Sequence, residues 1–288
     1  MTLSEAFDLY RSDCILFTNQ SRKTEEQHQI TKKSLLAFTG DIPLESLTFD
    51  IVRDWKSLME RKNRSAGTIR GYQIKLRVVL AYMRKRGYTC LDPELIHLPK
   101  RQQRVPKFIG PEDIQKLIDA QDKARVKHIL RARNKAIIAL LFSSGIRNSE
   151  LCSMDISDAK YDFFTVVGKG GVGDPSFIDE RARGYINAYL AMRKDNCPAL
   201  FVSDMNKLRI TPGTLQEILK YARKNAGFSE QITPHVLRHS FATDLMRNGC
   251  DTRYVQKLMH HKSIETTQVY LHVVDEELRS LHQKYHTA

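Results

Sequence analysis

Apolar side chains recur at helical spacing through the first hundred residues. Leu3, Phe7, Tyr10 and Ile15 fall on one face behind Thr2 and Glu5, a reciprocal capping pattern that opens a helix. A second helix is expected from about residue 24 through Leu35, Leu36 and Phe38, ending at Gly40. Thr48 caps a third that points Ile51, Val52, Trp55, Leu58 and Met59 inward. The fourth has the clearest period. From about residue 66 to 86 it turns Ile69, Tyr72, Ile74, Leu76, Val79, Leu80 and Met83 inward, carries Arg70, Lys75, Arg77, Arg84 and Lys85 outward, and stops at Gly87.

Between Leu98 and Pro106 the period breaks. Two prolines bracket polar and basic residues, the composition of an extended linker. Pro111 then opens a helix with acids in its first turn, and a second helix through Ala136, Ile137, Leu140, Leu141 and Phe142 runs to Gly145. The β-branched and aromatic run from Tyr161 to Val167 predicts a strand entering a glycine-rich turn, with Phe177 and Ile178 on the return strand. Beyond Arg181 the pattern is helical again, apart from a short apolar stretch at Leu200. The fold class is therefore mainly α with a small antiparallel β-sheet, in two domains. A helical domain spans 1–100, a basic linker 101–107 and a larger domain with a C-terminal tail 108–288.

Composition narrows the partners. Lys and Arg number 46 against 33 Asp and Glu, a net charge of +13, which points to nucleic acid first and an anionic membrane surface second. No apolar run approaches the roughly 18 residues of a membrane span, and the N-terminus lacks the features of a signal peptide. Five scattered cysteines (Cys14, Cys90, Cys152, Cys197, Cys250), never in C-x-x-C spacing, predict free thiols in a reducing cytoplasm and no zinc site.

The chemistry gathers late in the chain. Arg147 follows the helix that ends at Gly145, and Arg238 lies three residues after His235 on one helical face. Guanidinium suits a phosphodiester because it stays charged and donates in a fork that matches two oxygens. Tyr270 offers a phenol able to attack phosphorus. His235 and His261 are imidazole candidates for the proton transfers, and Lys169, on the hairpin turn, is a candidate acid for the departing oxygen. Taken one by one, such residues are more often packing tyrosines, turn lysines and salt-bridged arginines. Order and spacing carry the argument.

Those residues resemble the tyrosine recombinase family of phage integrases and resolvases. Gly145 to Leu151 reads as the family's first arginine box, with Arg147 as its arginine and Glu150 as the acidic partner. His235 to Thr243 reads as the second box, giving His235 and Arg238, and Thr266 to Tyr270 reads as the nucleophile box. Lys169 aligns with the hairpin lysine, although Gly171-Val-Gly-Asp174 replaces the further basic residues usual after it. His261 aligns with the third imidazole, while His260 stands where the family usually has glycine.

The resemblance implies a helical core-binding domain and a catalytic domain forming a C-shaped clamp on double-stranded DNA. Arg70, Lys75, Arg77, Arg84, Lys85, Arg101, Arg104 and Lys107 would contact phosphates. It implies cleavage by Tyr270 to a 3′-phosphotyrosine, with strand exchange through a Holliday junction. The expected assembly is a homotetramer, or a heterotetramer with a related recombinase, in the cytoplasm on the nucleoid. Neither metal nor any other cofactor nor ATP is expected. Leu278, Leu281 and Tyr285 in the tail are expected to dock on a neighbouring protomer. A start directly in the core-binding helices points to an Xer-like or mobile-element recombinase. The alternatives are a type IB topoisomerase-like enzyme and a catalytically silent DNA-binding protein.

Overall fold

The computed structural model describes residues 1–17, 22–99, 107–167, 173–205 and 208–260. Lys169, Arg101, Arg104, His261, Tyr270 and the C-terminal tail lie outside the described residues. The chain divides into two compact units, 1–103 and 104–288.

Among the described residues, four α-helices build the first unit: α1 (Leu3–Phe17), α2 (Arg22–Thr39), α3 (Phe49–Arg61) and α4 (Ala66–Lys85). The capping pattern at the start of α1 forms as read, with Thr2 N–H donating to Glu5 Oε2 at 2.8 Å and Glu5 N–H to Thr2 Oγ1 at 3.2 Å. Gly40 ends α2 in the left-handed region at φ +70°. The core gathers Leu3, Phe7, Leu35, Trp55, Leu76, Leu80 and Met83. Trp55 stacks on Tyr72 at 6.1 Å and donates its indole N–H to Ser34 Oγ. One position of α4 differs from expectation. Gln73, 3% exposed, points into the core, while Ile74 is only half-buried.

Among the described residues, seven α-helices and a hairpin make the second unit. They are α5 (Pro111–Asp119), α6 (His128–Ser144), α7 (Asn148–Ser153), β1 (Phe163–Val167), β2 (Gly173–Phe177), α8 (Glu180–Ala191), α9 (Pro212–Asn225), α10 (Pro234–Arg247) and α11 (Thr252–Leu258). Helix α6 is its axis, with Ala136, Ile137, Ile138, Leu140 and Leu141 all fully buried. A helix apolar all round belongs inside a core, and this one packs against α5, α8 and α10. β1 and β2 pair antiparallel from Phe163↔Phe177 to Val167↔Gly173. Phe164, Val166 and Ser176 face the core, and Phe163, Thr165 and Phe177 face out. The return strand thus begins four residues before the predicted Phe177 and includes Pro175. A two-stranded sheet leaves outward-facing amides on both strands, so proline costs no ladder bond there. No described helix is long and apolar enough to cross a membrane.

Candidate functional site

The site starts where α6 stops. Gly145 sits at φ +60° and donates its N–H to Leu141 O, closing the helix in a left-handed cap. A Cβ there would lie 2.2 Å from Cδ1 of Phe241, so glycine is required both by backbone conformation and by the close approach of α10. Ile146 then plunges into the core, fully buried, and Arg147 emerges as the N-cap of α7.

Glu150 holds Arg147 twice. Its Oε2 accepts the Arg147 backbone N–H at 2.7 Å and its Oε1 accepts Nη1 at 2.6 Å. The second terminal nitrogen, Nη2, donates to the carbonyl of His260 at 3.0 Å. Arg238, 5% exposed, reaches from the second turn of α10. Its Nη1 donates to Gly145 O at 2.5 Å and its Nη2 to Met259 O. The two guanidinium groups are therefore held by consecutive carbonyls, 259 and 260, just past the end of α11. Arg147 keeps more of its surface, its side chain 38% exposed. A buried guanidinium and a half-exposed one, held by neighbouring carbonyls, can offer fixed positive charge to an anion.

His235 and Arg238 do not share an equally buried face. His235 stands solvent-exposed in the first turn of α10, capped by the Thr233 hydroxyl, which accepts the Val236 N–H at 3.3 Å. One turn on, His239 is half-buried. Burial first, then the charges of His235 and Arg238, push its pKa down to about 4, so it is neutral near pH 7. The chain after the linker is pinned to the same helix and to the segment before it. Ile109 N–H donates to Ser240 Oγ at 2.8 Å, Arg247 covers the Phe108 ring at 4.4 Å, and Lys107 pairs with Glu230 at 3.0 Å.

Sequence reasoning missed three features. The carbonyls of Met259 and His260 receive the arginines, Phe241 fills the space a Cβ at 145 would need, and His239 is held neutral. A carbonyl leaves no mark on residue identity, whereas the absence of a side chain at Gly145 is a signal that another element comes close. In the first unit, two basic residues expected on the outer face are engaged within the unit. Arg70 Nη1 donates to Pro99 O at 2.5 Å, and Arg84 pairs with Asp92 at 2.6 Å. Lys75 and Arg77 are half-buried, and Lys85 is exposed. Among the described residues no group of three His, Cys, Asp or Glu side chains converges as metal ligands. All five cysteines are free thiols.

Comparison with known proteins gives the arrangement a context. Residues 107–277 match the sequence model of the phage integrase family. The chain is 33% identical over 239 residues to tyrosine recombinase XerD of Oceanobacillus iheyensis, covering 80% of this chain and 79% of that protein. It is 34% identical over 232 residues to tyrosine recombinase XerA of Pyrococcus furiosus, covering 79% and 78%. Its fold matches a crystal structure of the XerH site-specific recombinase bound to a palindromic difH substrate, with a TM-score of 0.73 at 20% identity over 91% of this chain and 80% of that one.

Proposed function

This chain belongs to the phage integrase family of tyrosine recombinases, whose activity is to cut and rejoin DNA, and on that premise we propose that it is a site-specific recombinase working through a 3′-phosphotyrosine intermediate. The observation that carries the reading is the paired seat of Arg147 and Arg238, fixed by Glu150 and by the carbonyls of residues 145, 259 and 260.

In this mechanism the scissile phosphate sits against the two guanidinium groups, which neutralise its non-bridging oxygens. The Tyr270 oxygen attacks phosphorus as its proton passes to an imidazole, His235 or His261. The bond from phosphorus to the 5′-oxygen breaks, and Lys169 protonates the departing oxygen. Losing one such stabilising donor typically costs about 10²–10³ in rate. The 5′-hydroxyl then attacks the partner strand's phosphotyrosine. The ester keeps the bond energy, so the exchange balances without ATP, and the guanidinium groups supply the charge that a metal would otherwise bring.

The partner is a double-stranded DNA recombination site, gripped by both units. The described relatives are named as recombinases, and XerH was crystallised on its DNA substrate. Strand exchange through a Holliday junction requires a tetramer, of this chain alone or with a related recombinase, with the tail after Tyr270 exchanged between protomers. The first unit serves as core-binding domain. Lys75, Arg77 and Lys85 supply its phosphate contacts, while Arg70 and Arg84 first exchange Pro99 O and Asp92 for phosphate. The linker residues Arg101 and Arg104, with Lys107, extend that contact. The setting is the cytoplasm, on the nucleoid.

Covalent trapping tests the proposal. Purified protein is mixed with nicked, sheared genomic DNA and denatured in detergent, and the DNA that stays bound is sequenced, with Tyr270→Phe as control. A short, palindrome-like site recovered only with Tyr270 present supports the recombinase reading. Equal recovery with the Phe variant refutes it.

A further inference from the structure

His260 is the one described residue of the arginine seat that breaks a local rule. Its φ is +49°, in the left-handed region that favours glycine, and it is one of only two non-glycine residues with positive φ among the described residues. A strained residue persists where its surroundings over-determine it, and such outliers gather at functional positions. Here the surroundings are visible. The backbone N–H of His260 bonds Lys257 O at 2.9 Å, ending α11, and its carbonyl receives Arg147 Nη2. Its ring reaches in another direction, with Nε2 3.3 Å from the carbonyl of Pro175 on β2. Because that carbonyl only accepts, Nε2 is the donor, and Nδ1 is the nitrogen left buried without a hydrogen-bond partner among the described residues. A glycine would relax the backbone, and a shorter side chain would not reach β2.

From this geometry we infer that His260 is a positioning residue that ties strand β2 to the arginine seat. The turn from β1 into β2 carries Lys169, so the tie sets how the hairpin lysine meets a phosphate held by Arg147 and Arg238. The inference rests on the recombinase reading above. His260 acts through the hairpin, and its removal slows the step that needs a proton delivered to the 5′-oxygen.

Single-turnover cleavage by the full chain separates this role from a merely structural one. The substrate is a nicked duplex carrying the trapped site, made once with the normal 5′-oxygen and once with a 5′-bridging sulfur. A thiol leaves without a proton donor, because its pKa is about 8.5. His260→Gly folds readily, since glycine accepts φ +49° without strain. It is expected to bind DNA and to melt like the unmodified chain. On the oxygen substrate it cleaves roughly 10–100-fold more slowly, the scale of a displaced proton donor. On the sulfur substrate the defect shrinks to less than about threefold. His260→Gln, which restores an amide donor at similar reach, regains most of the rate. A Gly variant that cleaves both substrates at the unmodified rate, or that is equally slow on both, overturns the inference. Absence of a Tyr270-dependent adduct with the unmodified chain overturns the recombinase reading and this link together, whereas a normal adduct with an unimpaired Gly variant overturns the link alone.

Discussion

Replacing Gly145 with alanine combines two penalties at one atom. The residue sits at φ +60°, where an L side chain costs roughly 1–2 kcal/mol. The added methyl also lands 2.2 Å from Phe241 Cδ1 and 2.8 Å from its Cε1, far inside van der Waals contact, and overpacking of that kind costs about 1–3 kcal/mol. The expected loss is about 2–5 kcal/mol. For a unit of this size that lowers the melting temperature by roughly 5–15 °C, read by far-ultraviolet circular dichroism. The two parts separate in a second background. With Phe241→Ala the ring is gone, so Gly145→Ala should then cost only the backbone part, about 1–2 kcal/mol. Cleavage falls as well, because Gly145 O receives Arg238 and any shift of the cap moves that guanidinium. A variant within about 0.5 kcal/mol of the unmodified chain would refute the reasoning, and so would an undiminished penalty in the Phe241→Ala background.

Arg238→Lys keeps the charge but cannot span Gly145 O and Met259 O with one ammonium, so single-turnover cleavage should fall about 10²–10³-fold, and a loss under threefold would count against the anchoring role. Glu150→Gln keeps an oxygen for the Arg147 N–H but loses the charge that orients the guanidinium, and cleavage should slow roughly tenfold with little change in DNA affinity. His28 makes the first unit acid-sensitive. It is 5% exposed, 4.9 Å from Tyr10, and burial first and Lys75 second lower its pKa to about 4. As pH falls below about 6.5 the unfolded chain takes a proton that the folded one refuses. Stability is therefore full above that pH and declines towards pH 4 by about 1.4 kcal/mol per unit, on the order of 3 kcal/mol in all. Emission from Trp55, in the same unit, follows the change in urea titrations, and a His28→Phe variant with an unaltered slope would disprove the assignment.

Much of the fold could be read in advance because its signals are local. The Thr2–Glu5 cap, the Gly40 and Gly87 stops and the α4 stripe each depend on residues a few positions apart. The departures have tertiary causes. Gln73 is buried at the centre of α4 while Ile74 lies half out, because the neighbouring helices cover the whole Ile69–Leu76–Leu80 stripe, on which position 73 falls whatever its polarity. The start of β2 at Gly173 is decided by pairing with Val167, which no property of Gly-Asp-Pro announces. At the site, charge and motif spacing single out Arg147, Glu150 and Arg238, because ionic groups must be encoded as side chains. Glu150 apart, what holds them was not readable. Main-chain carbonyls look alike in every sequence, and His260 departs from the family's glycine without revealing that its ring would find Pro175.

The seat's wiring has a consequence for the order in which its parts are completed during synthesis. Arg147 is held by a carbonyl 113 residues downstream, and Arg238 by one 21 residues downstream. A polypeptide emerging from the ribosome folds its N-terminal parts first. Both arginines are therefore made, and α6 and α10 can pack, before residues 259 and 260 exist to orient them. Until then each guanidinium is held from one side only, Arg147 by Glu150 and Arg238 by Gly145 O. On the recombinase reading, the growing chain presents its basic surface before its arginine seat is complete, so competence to break a strand is among the last properties that synthesis confers.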